Sequence, residues 1–371
     1  MIDNELETLL SVLESENRCR RIPAQGHSDM VDLCSNDYLG LGQRSIEWRE
    51  EFLYRFPDAA MTSSASRLLS RRQYHHLLLE DRLEALYRRP ALLFNSGYHA
   101  NVGCIGALNL PSTLFVTDRL IHASAIDGLR TCGAEFVRFR HNDMEHLERV
   151  LTAKGKDFRH IVVMVESVYS MDGDLAPLDS LVRLKQKDNR IILYVDEAHG
   201  VGVFGEQGLG LCEQTACLDR IDLIVGTAGK ALASAGAYVI CSSVMKRWLL
   251  NSARSFIFST ALPPACCAWT LLMLEKMTVM HIERNHLRNL WQWLGTQLGQ
   301  VAHSQILPYL TGDAAKALTL ADRLHTAGLD VLPIRRPTVP PGGERLRLSL
   351  NALLTEADLF PLIAILSDKN K

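Results

Sequence analysis

Short apolar runs alternate with helix-length segments through the first two thirds of the chain. Each run has the length and the β-branched content of a buried strand. The runs are ALLFNSG (91–97), TLFVTD (113–118), EFVRF (135–139), IVVMVES (161–167), IILYVDEA (191–198) and DLIVGT (222–227). Roughly thirty residues separate the fourth run from the fifth, and the fifth from the sixth, which is the length of a βαβ unit. The pattern predicts an α/β fold with a mostly parallel sheet between helices.

Helical periodicity predicts further elements, and the character of the chain changes after Pro263-Pro264. The later part combines helices with a strand, RLRLSL (345–350). The predicted helices cover about 1–20, 75–87, 265–298, 314–326 and 355–367. We therefore predict an N-terminal arm over 1–45, a large domain over 46–264 and a smaller α+β domain over 265–371.

Composition and charge are those of an ordinary globular chain. The sequence is 47% hydrophobic and 22% charged, with a formal net charge of -2 and no basic run to cover a phosphate backbone. The start, MIDNELETLL, is acidic, unlike a signal or transit peptide, and the longest apolar stretch is too short to span a bilayer. Nine cysteines occur without a C-x-x-C pair. We expect a cytoplasmic protein with no nucleic-acid partner, no membrane partner and no metal site.

The stretch YVDEAHGVGVFGEQG (194–208) contains the letters DEAH, which also name a group of motor ATPases that move along nucleic acid. Such a motor needs a phosphate loop, G-x-x-x-x-G-K-[ST]. The chain has Gly-Lys twice, but Asp157 and Ala231 stand where the hydroxyl residue is required, and the first glycine is missing in both places. The motor interpretation is therefore excluded, and Asp196 instead ends a predicted strand.

Polar residues follow several of the predicted strands. In open α/β sheets, ligands bind beyond the carboxyl ends of the strands, so these residues are expected to share one rim. In chain order they are Asn95, Ser96, Gly97, Tyr98, Asp118, His122, Glu166, Ser167, Ser170, Asp196, His199, Thr227 and Lys230.

Lys230 and Asp196 indicate the chemistry of this rim. Lys230 lies among small residues, GTAGKALASAGA, which let a bulky group approach its amine and form a Schiff base. The alternative is a surface lysine in a flexible loop. Asp196 at a buried strand end needs a cationic partner, and a protonated pyridine nitrogen is one. Pyridoxal 5'-phosphate (PLP) enzymes use that pair, whereas the alternative for Asp196 is a loop cap.

At the level of whole motifs, the chain resembles the α-oxoamine synthases, which are PLP-dependent transferases of fold type I. The matching stretches occur in family order and span most of the chain from about residue 30 to 355. They are CSNDYLGLG (34–42), FNSGYHANVG (94–103), DRLIHASAIDGLR (118–130), ESVYSMDGDLAPL (166–178), YVDEAHGVGVFGEQGLG (194–210), GTAGKALASAGAYVICS (226–242), FSTALPP (258–264) and RRPTVPPGGERLRLSL (335–350). The resemblance implies a large domain with a mostly parallel seven-stranded sheet, a smaller α+β C-terminal domain and a homodimer.

The resemblance also implies a role for each site residue. Lys230 would bind PLP covalently, Asp196 would pair with the pyridine nitrogen, His199 and Ser170 would bond the ring oxygen, and His122 would stack on the ring. The catalytic set would be Lys230, His122, Asp196 and His199. The phosphate would be bound by the N–H groups at a helix start and by hydroxyls. These phosphate-binding residues are Ser96, Gly97, Tyr98 and Thr227, with Ser259 and Thr260 reaching the neighbouring subunit's phosphate.

The substrate residues follow from the same resemblance. Arg335 and Asn36 would hold the carboxylate of an amino acid, and Thr338 and Arg20 would touch an acyl thioester. The last matching stretch is closest to the family branch in biotin biosynthesis, which condenses L-alanine with a pimeloyl thioester carried by CoA or acyl carrier protein.

Three alternatives stay open. The chain could instead be a relative such as 2-amino-3-ketobutyrate CoA ligase or 5-aminolevulinate synthase, an autoinducer synthase, or a PLP-fold protein kept for binding or regulation. The family has a glycine-rich segment near the active-site entrance, where this chain has MTSSASRLLSRRQ (61–73). That departure leaves the acyl specificity open.

Overall fold

The computed structural model describes residues 2–20, 22 and 30–367 of the chain. The helices are α1 Ile2–Ser15, α2 Arg49–Arg55, α3 Tyr74–Tyr87, α4 Gly97–Leu108, α5 Ala123–Thr131, α6 Met144–Lys154, α7 Leu178–Lys187, α8 Leu211–Gln214, α9 Ser243–Ser252, α10 Arg254–Ile257, α11 Pro264–Val279, α12 His281–Gln297, α13 Ala314–Thr326 and α14 Glu356–Ser367. The strands are β1 Val31–Asp32, β2 Ala91–Phe94, β3 Thr113–Asp118, β4 Phe136–Phe139, β5 His160–Glu166, β6 Ile191–Asp196, β7 Leu223–Thr227, β8 Ala237–Ile240, β9 Ile306–Leu310, β10 Leu329–Asp330, β11 Pro333–Ile334 and β12 Arg345–Ser349.

The chain divides into two compact units. The large unit comprises Asp37–Ser170 and Asp174–Asn285, and the small unit comprises the described parts of Met1–Asn36, Met171–Gly173 and His286–Lys371. These divisions differ from the predicted domain boundaries after residues 45 and 264, which remain a prediction. Helix α11, for example, falls in the predicted small domain, whereas in the structure it packs on α3 and belongs to the large unit.

A seven-stranded sheet of order β2-β8-β7-β6-β5-β3-β4 forms the centre of the large unit. The pairs from β7 through β6, β5 and β3 to β4 are parallel, whereas β8 runs antiparallel to both of its neighbours. The predicted fold class, a mostly parallel seven-stranded sheet, is therefore confirmed. Strands β3 and β5 to β7 are almost wholly buried, which explains why they read as continuous apolar runs.

Helix α4 packs against α5, α9 and α10 and against strands β7 and β8. Its buried face belongs to a core that includes Leu92, Phe115, Val162 and Val239. Strand β8 is not among the strands that the apolar runs predict. It lies in the glycine- and alanine-rich stretch after Lys230, where small residues weaken the strand pattern.

The small unit contains an antiparallel sheet of order β11-β12-β9 and a parallel pair of β1 with β10. Helix α13 packs on α14 and on β12. This is the α+β pattern that the sequence predicts for the later part of the chain. The pairing of Val31 with Leu329 joins two strands that are far apart along the chain, which no local pattern indicates.

Two predicted helices are wrong in extent. The first, predicted over about 1–20, ends at Ser15. The sequence predicts a single helix over about 265–298, whereas the structure has two, α11 and α12, separated at Met280, whose φ of -83° and ψ of 47° lie outside the helical region. Among the described residues, no helix is long and apolar enough to cross a membrane.

Candidate active site

Parallel strands of the large sheet bring four polar residues to one edge. Strands β3, β5, β6 and β7 end at Asp118, Glu166, Asp196 and Thr227. Glu166 and Asp196 are register partners on neighbouring strands, so their side chains lie on the same face of the sheet. The three carboxyl groups are buried, and each needs protons or donors to compensate the loss of water.

Lys230 lies in the turn after β7 and contacts His199. Its Nζ is 2.8 Å from His199 Nε2, and His199 Nδ1 is 2.5 Å from the hydroxyl of the buried Tyr38. A neutral imidazole carries one N–H, so two proton arrangements satisfy both bonds. Either a Lys230 N–H, of an ammonium or of a neutral amine, donates to Nε2 while Nδ1–H donates to Tyr38, or the Tyr38 hydroxyl donates to Nδ1 while Nε2–H donates to a neutral Lys230 amine. The second arrangement has the uncharged amine that a nucleophile or base requires.

Asp196 is held by amide donors. Its Oδ1 accepts from the backbone N–H of Ala198 at 2.9 Å, and its Oδ2 accepts from Asn101 Nδ2 at 2.9 Å. Asn101 in turn accepts from the Tyr194 hydroxyl at 2.7 Å, so this buried amide is fixed in orientation. Sequence reasoning missed Asn101 and Tyr38 as site residues, although both lie inside the quoted motifs.

The second Asn101 proton links Asp196 to His122. Asn101 Nδ2 donates to Ser124 Oγ at 2.9 Å, and His122 Nδ1 lies 2.8 Å from the same hydroxyl and accepts from the Ser124 N–H at 3.2 Å. Because Nδ1 accepts, the imidazole proton sits on Nε2. Partial burial lowers the pKa of His122 against the opposing charge of Asp196, so the ring is neutral near pH 7.

The start of α4 lies beside the end of β7. Ser96 caps the helix by accepting from the His99 N–H, and a Cβ built on Gly97 would lie 4.0 Å from Thr227 Cβ. The N–H groups of the first helical turn have no intrahelical partner and attract anions. The Tyr98 hydroxyl donates to Asp127 at 3.0 Å. The predicted phosphate residues Ser96, Gly97, Tyr98 and Thr227 are thus brought together.

The remaining predicted cofactor residues lie on two loops. Ser170 follows β5 in the large unit, and its N–H donates to the Glu166 carboxyl. Ser259 Oγ and the Thr260 carbonyl both accept from Asn95 Nδ2, at 2.8 and 2.6 Å. These two residues therefore lie at the end of β2 in their own chain, and their predicted reach to a neighbouring subunit remains a prediction.

In the small unit, the hydrogen bonds among the predicted substrate residues differ from those that the sequence analysis implies. Arg20 Nη2 donates to Thr338 Oγ1 at 3.1 Å, so the two acyl-binding candidates are in contact. Asn36 Oδ1, however, accepts from Arg347 Nη2 at 2.9 Å, whereas Arg335 Nη1 donates to the Asn17 carbonyl at 2.6 Å. The structure thus pairs the carboxylate-binding candidate Asn36 with Arg347.

The sequence analysis did not name Arg347 as a substrate residue. It named Arg335 because that residue precedes the proline-rich stretch of the matching motif, whereas Arg347 lies in a strand. A signal was nevertheless present, since RLRLSL alternates and places Arg345 and Arg347 on one face of β12. Both arginines are buried, and Arg345 is compensated by Asp172 at 2.7 Å. A buried arginine in a strand is uncommon and calls for a functional or structural anion.

The segment 61–73, which departs from the family pattern, holds one buried ion pair. Arg67 donates to both carboxylate oxygens of Glu80 and, through Nε, to Gln73 at 2.9 Å. Arg71 and Arg72 are exposed. Of the three arginines in this segment, Arg67 is thus bound within the fold, and Arg71 and Arg72 face solvent.

Asp32, Cys34 and Asp330 place three potential ligand atoms within 4.8 Å of one another. Asp32 Oδ1 accepts from the N–H groups of Cys34 and Ser35, and the Cys34 thiol donates to the Asp330 carbonyl. Burial, with the two nearby aspartates, raises the pKa of Cys34, so the thiol stays protonated. The two bonds to Asp32 are those of a local turn, the Cys34 thiol is used in a hydrogen bond to β10, and the expectation of no metal site stays a prediction.

The large unit offers the donor set that PLP requires. Asp196 is a buried carboxylate whose contacts above are neutral amides, so a cationic ring nitrogen would complete its coordination. An amine, Lys230, and a helix N-terminus suited to a phosphate lie at the same edge of the sheet. The residues present therefore fit PLP.

Comparison with known proteins identifies the family. The model of the class I and II aminotransferases matches residues 28–366. The chain belongs to this family. The family is PLP-dependent, and the predicted cofactor and fold are confirmed at that level.

Individual relatives indicate which branch of the family the chain is most similar to. The chain is 45% identical to a putative 8-amino-7-oxononanoate synthase of Pasteurella multocida, with 97% of each chain covered. It is 44% identical to the 8-amino-7-oxononanoate synthase of Haemophilus ducreyi, covering 96% of this chain and 95% of that one. The serine palmitoyltransferase of S. paucimobilis, solved with a bound PLP–myriocin adduct, matches with a TM-score of 0.88 and 28% identity over 98% of this chain and 96% of that one. The resemblance to the α-oxoamine synthases is confirmed.

Proposed function

We propose that the chain is an acyltransferase that condenses L-alanine with a pimeloyl thioester, giving 8-amino-7-oxononanoate, CO2 and the free thiol carrier, as in biotin biosynthesis. The carrier is CoA or acyl carrier protein. The observation that supports this most is the arrangement of Lys230, His199 and Asp196 in a chain whose relatives at 42–45% identity are named for this reaction.

The residues of the large unit would hold PLP. Lys230 would bind it covalently, Asp196 would compensate the ring nitrogen, His199 and Ser170 would bond the ring oxygen, and His122 would cover one ring face. The start of α4 with Thr227 would bind the phosphate. When bound, PLP supplies an electron sink for the negative charge that develops at the amino acid's Cα.

Lys230 Nζ takes the Cα proton and later returns it. Its contact with His199 Nε2, and through His199 with Tyr38, gives that nitrogen a partner in either protonation state. Asn101 and Ala198 donate to one oxygen each of Asp196, and these hydrogen bonds support a carboxylate that can hold a positive ring nitrogen. In the overall reaction, the alanine Cα bonds to the thioester carbonyl carbon, the thiol leaves and CO2 is lost.

Substrate contacts are assigned to the small unit. Arg347 and Asn36 bind the amino-acid carboxylate, because the guanidinium is the natural fork for it and the two residues already share a hydrogen bond. Thr338 and Arg20, also in contact, bind the acyl chain. Arg335 is the less favoured carboxylate partner because its described contact is with the Asn17 carbonyl.

We also propose a homodimer. Met61 and Phe258 are 78% and 72% exposed, although both are large apolar residues. Their segments are neighbours, since the Ala261 N–H donates to the Ala65 carbonyl at 2.9 Å. An exposed apolar patch of this kind is typical of a surface that another protein covers.

The substrate proposal is tested by product analysis. Purified protein with PLP is supplied with L-alanine, glycine or L-serine in combination with pimeloyl-, acetyl- or palmitoyl-CoA, and the products are identified by mass spectrometry. We expect 8-amino-7-oxononanoate from alanine and pimeloyl-CoA as the fastest reaction. Faster turnover of glycine with acetyl-CoA, or of serine with palmitoyl-CoA, would overturn the substrate assignment and leave the family assignment in place.

A further inference from the structure

Glu166 is a buried carboxyl group that the proposed mechanism does not use. It is 3% exposed, ends β5, and faces Asp196 across the β5–β6 pair. Among the residues that the structure describes, its Oε1 has no hydrogen-bond partner, while Asp196 accepts a donor on each oxygen. Two neighbouring buried carboxyls therefore differ sharply in how well an ionised form is supported.

Both groups cannot be anions at low cost. Like charges on adjacent strands repel, and a buried carboxylate with an unpaired oxygen loses its hydration without compensation. The remaining charges that act on Glu166 are those of Asp118, which His141 compensates, and of Lys230, which pairs with His199. The proton that the pair must retain therefore belongs on the group with fewer donors.

We propose that Glu166 is a neutral carboxylic acid in the folded protein, which leaves Asp196 as the single negative charge that meets the cofactor ring. The role rests on the proposed function, because Asp196 has a ring nitrogen to meet only if PLP binds there. One anion then faces one cation, and the site needs no further counter-charge.

The direction of titration agrees with this geometry. Burial, and after it the charge of Asp196, raises the pKa of Glu166 well above its usual range, against the opposing effects of Lys230 and the Ser170 N–H. The unfolded chain releases the Glu166 proton at a pKa of about 4.3, whereas the folded chain retains it. The folded state thus holds one more proton than the unfolded state, and stability attributable to this group decreases as pH rises.

The test compares wild type with Glu166→Gln, which mimics the neutral acid. Unfolding by denaturant is measured at steps between about pH 5 and 8, with saturating PLP and again without it. We expect the ratio of wild-type to variant unfolding equilibrium constants to rise by up to about tenfold per pH unit, because one proton is released on unfolding of the wild type alone. His141 titrates at a pKa of about 10 in the folded protein and at about 6.5 in the unfolded chain, and folded Tyr169 titrates above the range. Both groups are common to the two proteins, so their contributions cancel in the ratio.

A matched control is Glu145→Gln, whose carboxyl is 89% exposed and whose ratio should stay flat. A flat ratio for Glu166→Gln as well would show that Glu166 ionises in the folded protein, and the proposal would be overturned. This readout requires no turnover. An inactive protein with a rising ratio would refute the proposed function and keep this inference.

Infrared spectroscopy gives a second readout that does not depend on unfolding. At about pH 8, where free glutamate is fully ionised, wild type should show a deuterium-sensitive band of a neutral carboxyl group. The band should be absent in Glu166→Gln and, should that variant not fold, displaced in Glu166→Asp. A wild type without the band, or a band that these variants leave unchanged, would also overturn the proposal.

Discussion

Arg347 is a single buried side chain on which we expect the binding of L-alanine to depend. The guanidinium is buried in β12 and donates to Asn36, and a guanidinium fork can bind a carboxylate through two parallel bonds. We predict that Arg347→Gln raises the KM for L-alanine by about 10- to 100-fold, since loss of a charged hydrogen bond costs about 1.5–3 kcal/mol. The KM for pimeloyl-CoA should change little. Steady-state kinetics with each substrate varied in turn measures both values.

The control is Arg335→Gln, which removes the same charge at the position that the sequence favoured. Its described contact is the Asn17 carbonyl, so its alanine KM should remain within about threefold of wild type. An alanine KM that rises in Arg335→Gln and not in Arg347→Gln would restore the sequence-based assignment. It would also separate Asn36 from the carboxylate site.

Several site residues could be predicted from sequence because their positions follow from strand ends. Asp196, Thr227 and Lys230 come directly after buried runs, and parallel pairing must bring such ends to one edge. Asn101 and Tyr38 could not be found in this way. Asn101 lies mid-helix in α4 and Tyr38 in a loop, and their contacts with Asp196 and His199 span 95 and 161 residues of sequence.

At the element scale, His141 joins the end of β3 to the segment after β5. Its Nδ1 lies 2.9 Å from Asp118 and its Nε2 2.6 Å from Asp174, with the Tyr169 ring edge-on at 4.4 Å. Asn142 adds two bonds, from its N–H to Asp118 and from Nδ2 to Asp174. Only a doubly protonated imidazole can donate to both carboxylates, so this junction depends on the charge of His141.

That charge predicts a pH dependence of stability. Burial opposes the charge, but the hydrogen bonds with Asp118 and Asp174 outweigh it and raise the pKa of His141 to about 10. A raised histidine pKa stabilises the fold fully below the unfolded value of about 6.5, and the contribution disappears as pH rises towards 10. We predict that His141→Asn costs about 2 kcal/mol at pH 6 and much less at pH 10. Denaturant unfolding of both proteins at pH 6, 8 and 10 measures this, and a constant difference would contradict it.

The elements that sequence reasoning placed least well are those defined by packing. The buried strands β3, β5 and β6 could be predicted because both of their faces are covered and their runs are apolar throughout. The break between α11 and α12 at Met280 has no proline or glycine to mark it. The backbone there departs from helical angles, but the sequence carries no local signal of this break. The helical periodicity of apolar residues therefore predicts one continuous helix.

At the scale of the whole molecule, the division of the chain is non-local. Strand β1 pairs with β10, and Met171–Gly173 belongs to the small unit although it follows β5 of the large sheet. A sequence pattern reports neighbours along the chain, and these pairings join residues about 300 positions apart. A sequence pattern therefore predicts domain boundaries as single cuts and gives no sign of an interleaved division.

Assembly into a dimer would connect the exposed apolar surface of the chain with its retention of the cofactor. Leu69 and Phe258 are 80% and 72% exposed, and Phe258 immediately precedes Ser259, a predicted ligand of the neighbouring subunit's phosphate. If this surface is the dimer interface, Leu69→Asp with Phe258→Asp should raise the dimer dissociation constant about 30-fold or more, because interface hot spots are worth about 2 kcal/mol. PLP should be lost in parallel, since each phosphate site would lack its partner. Sedimentation measures the mass and absorbance the retained PLP, with Val301→Asp, at an 80% exposed site of the small unit, as the control. A double variant that stays dimeric, or a monomer that retains PLP as tightly as the dimer, would contradict the shared site.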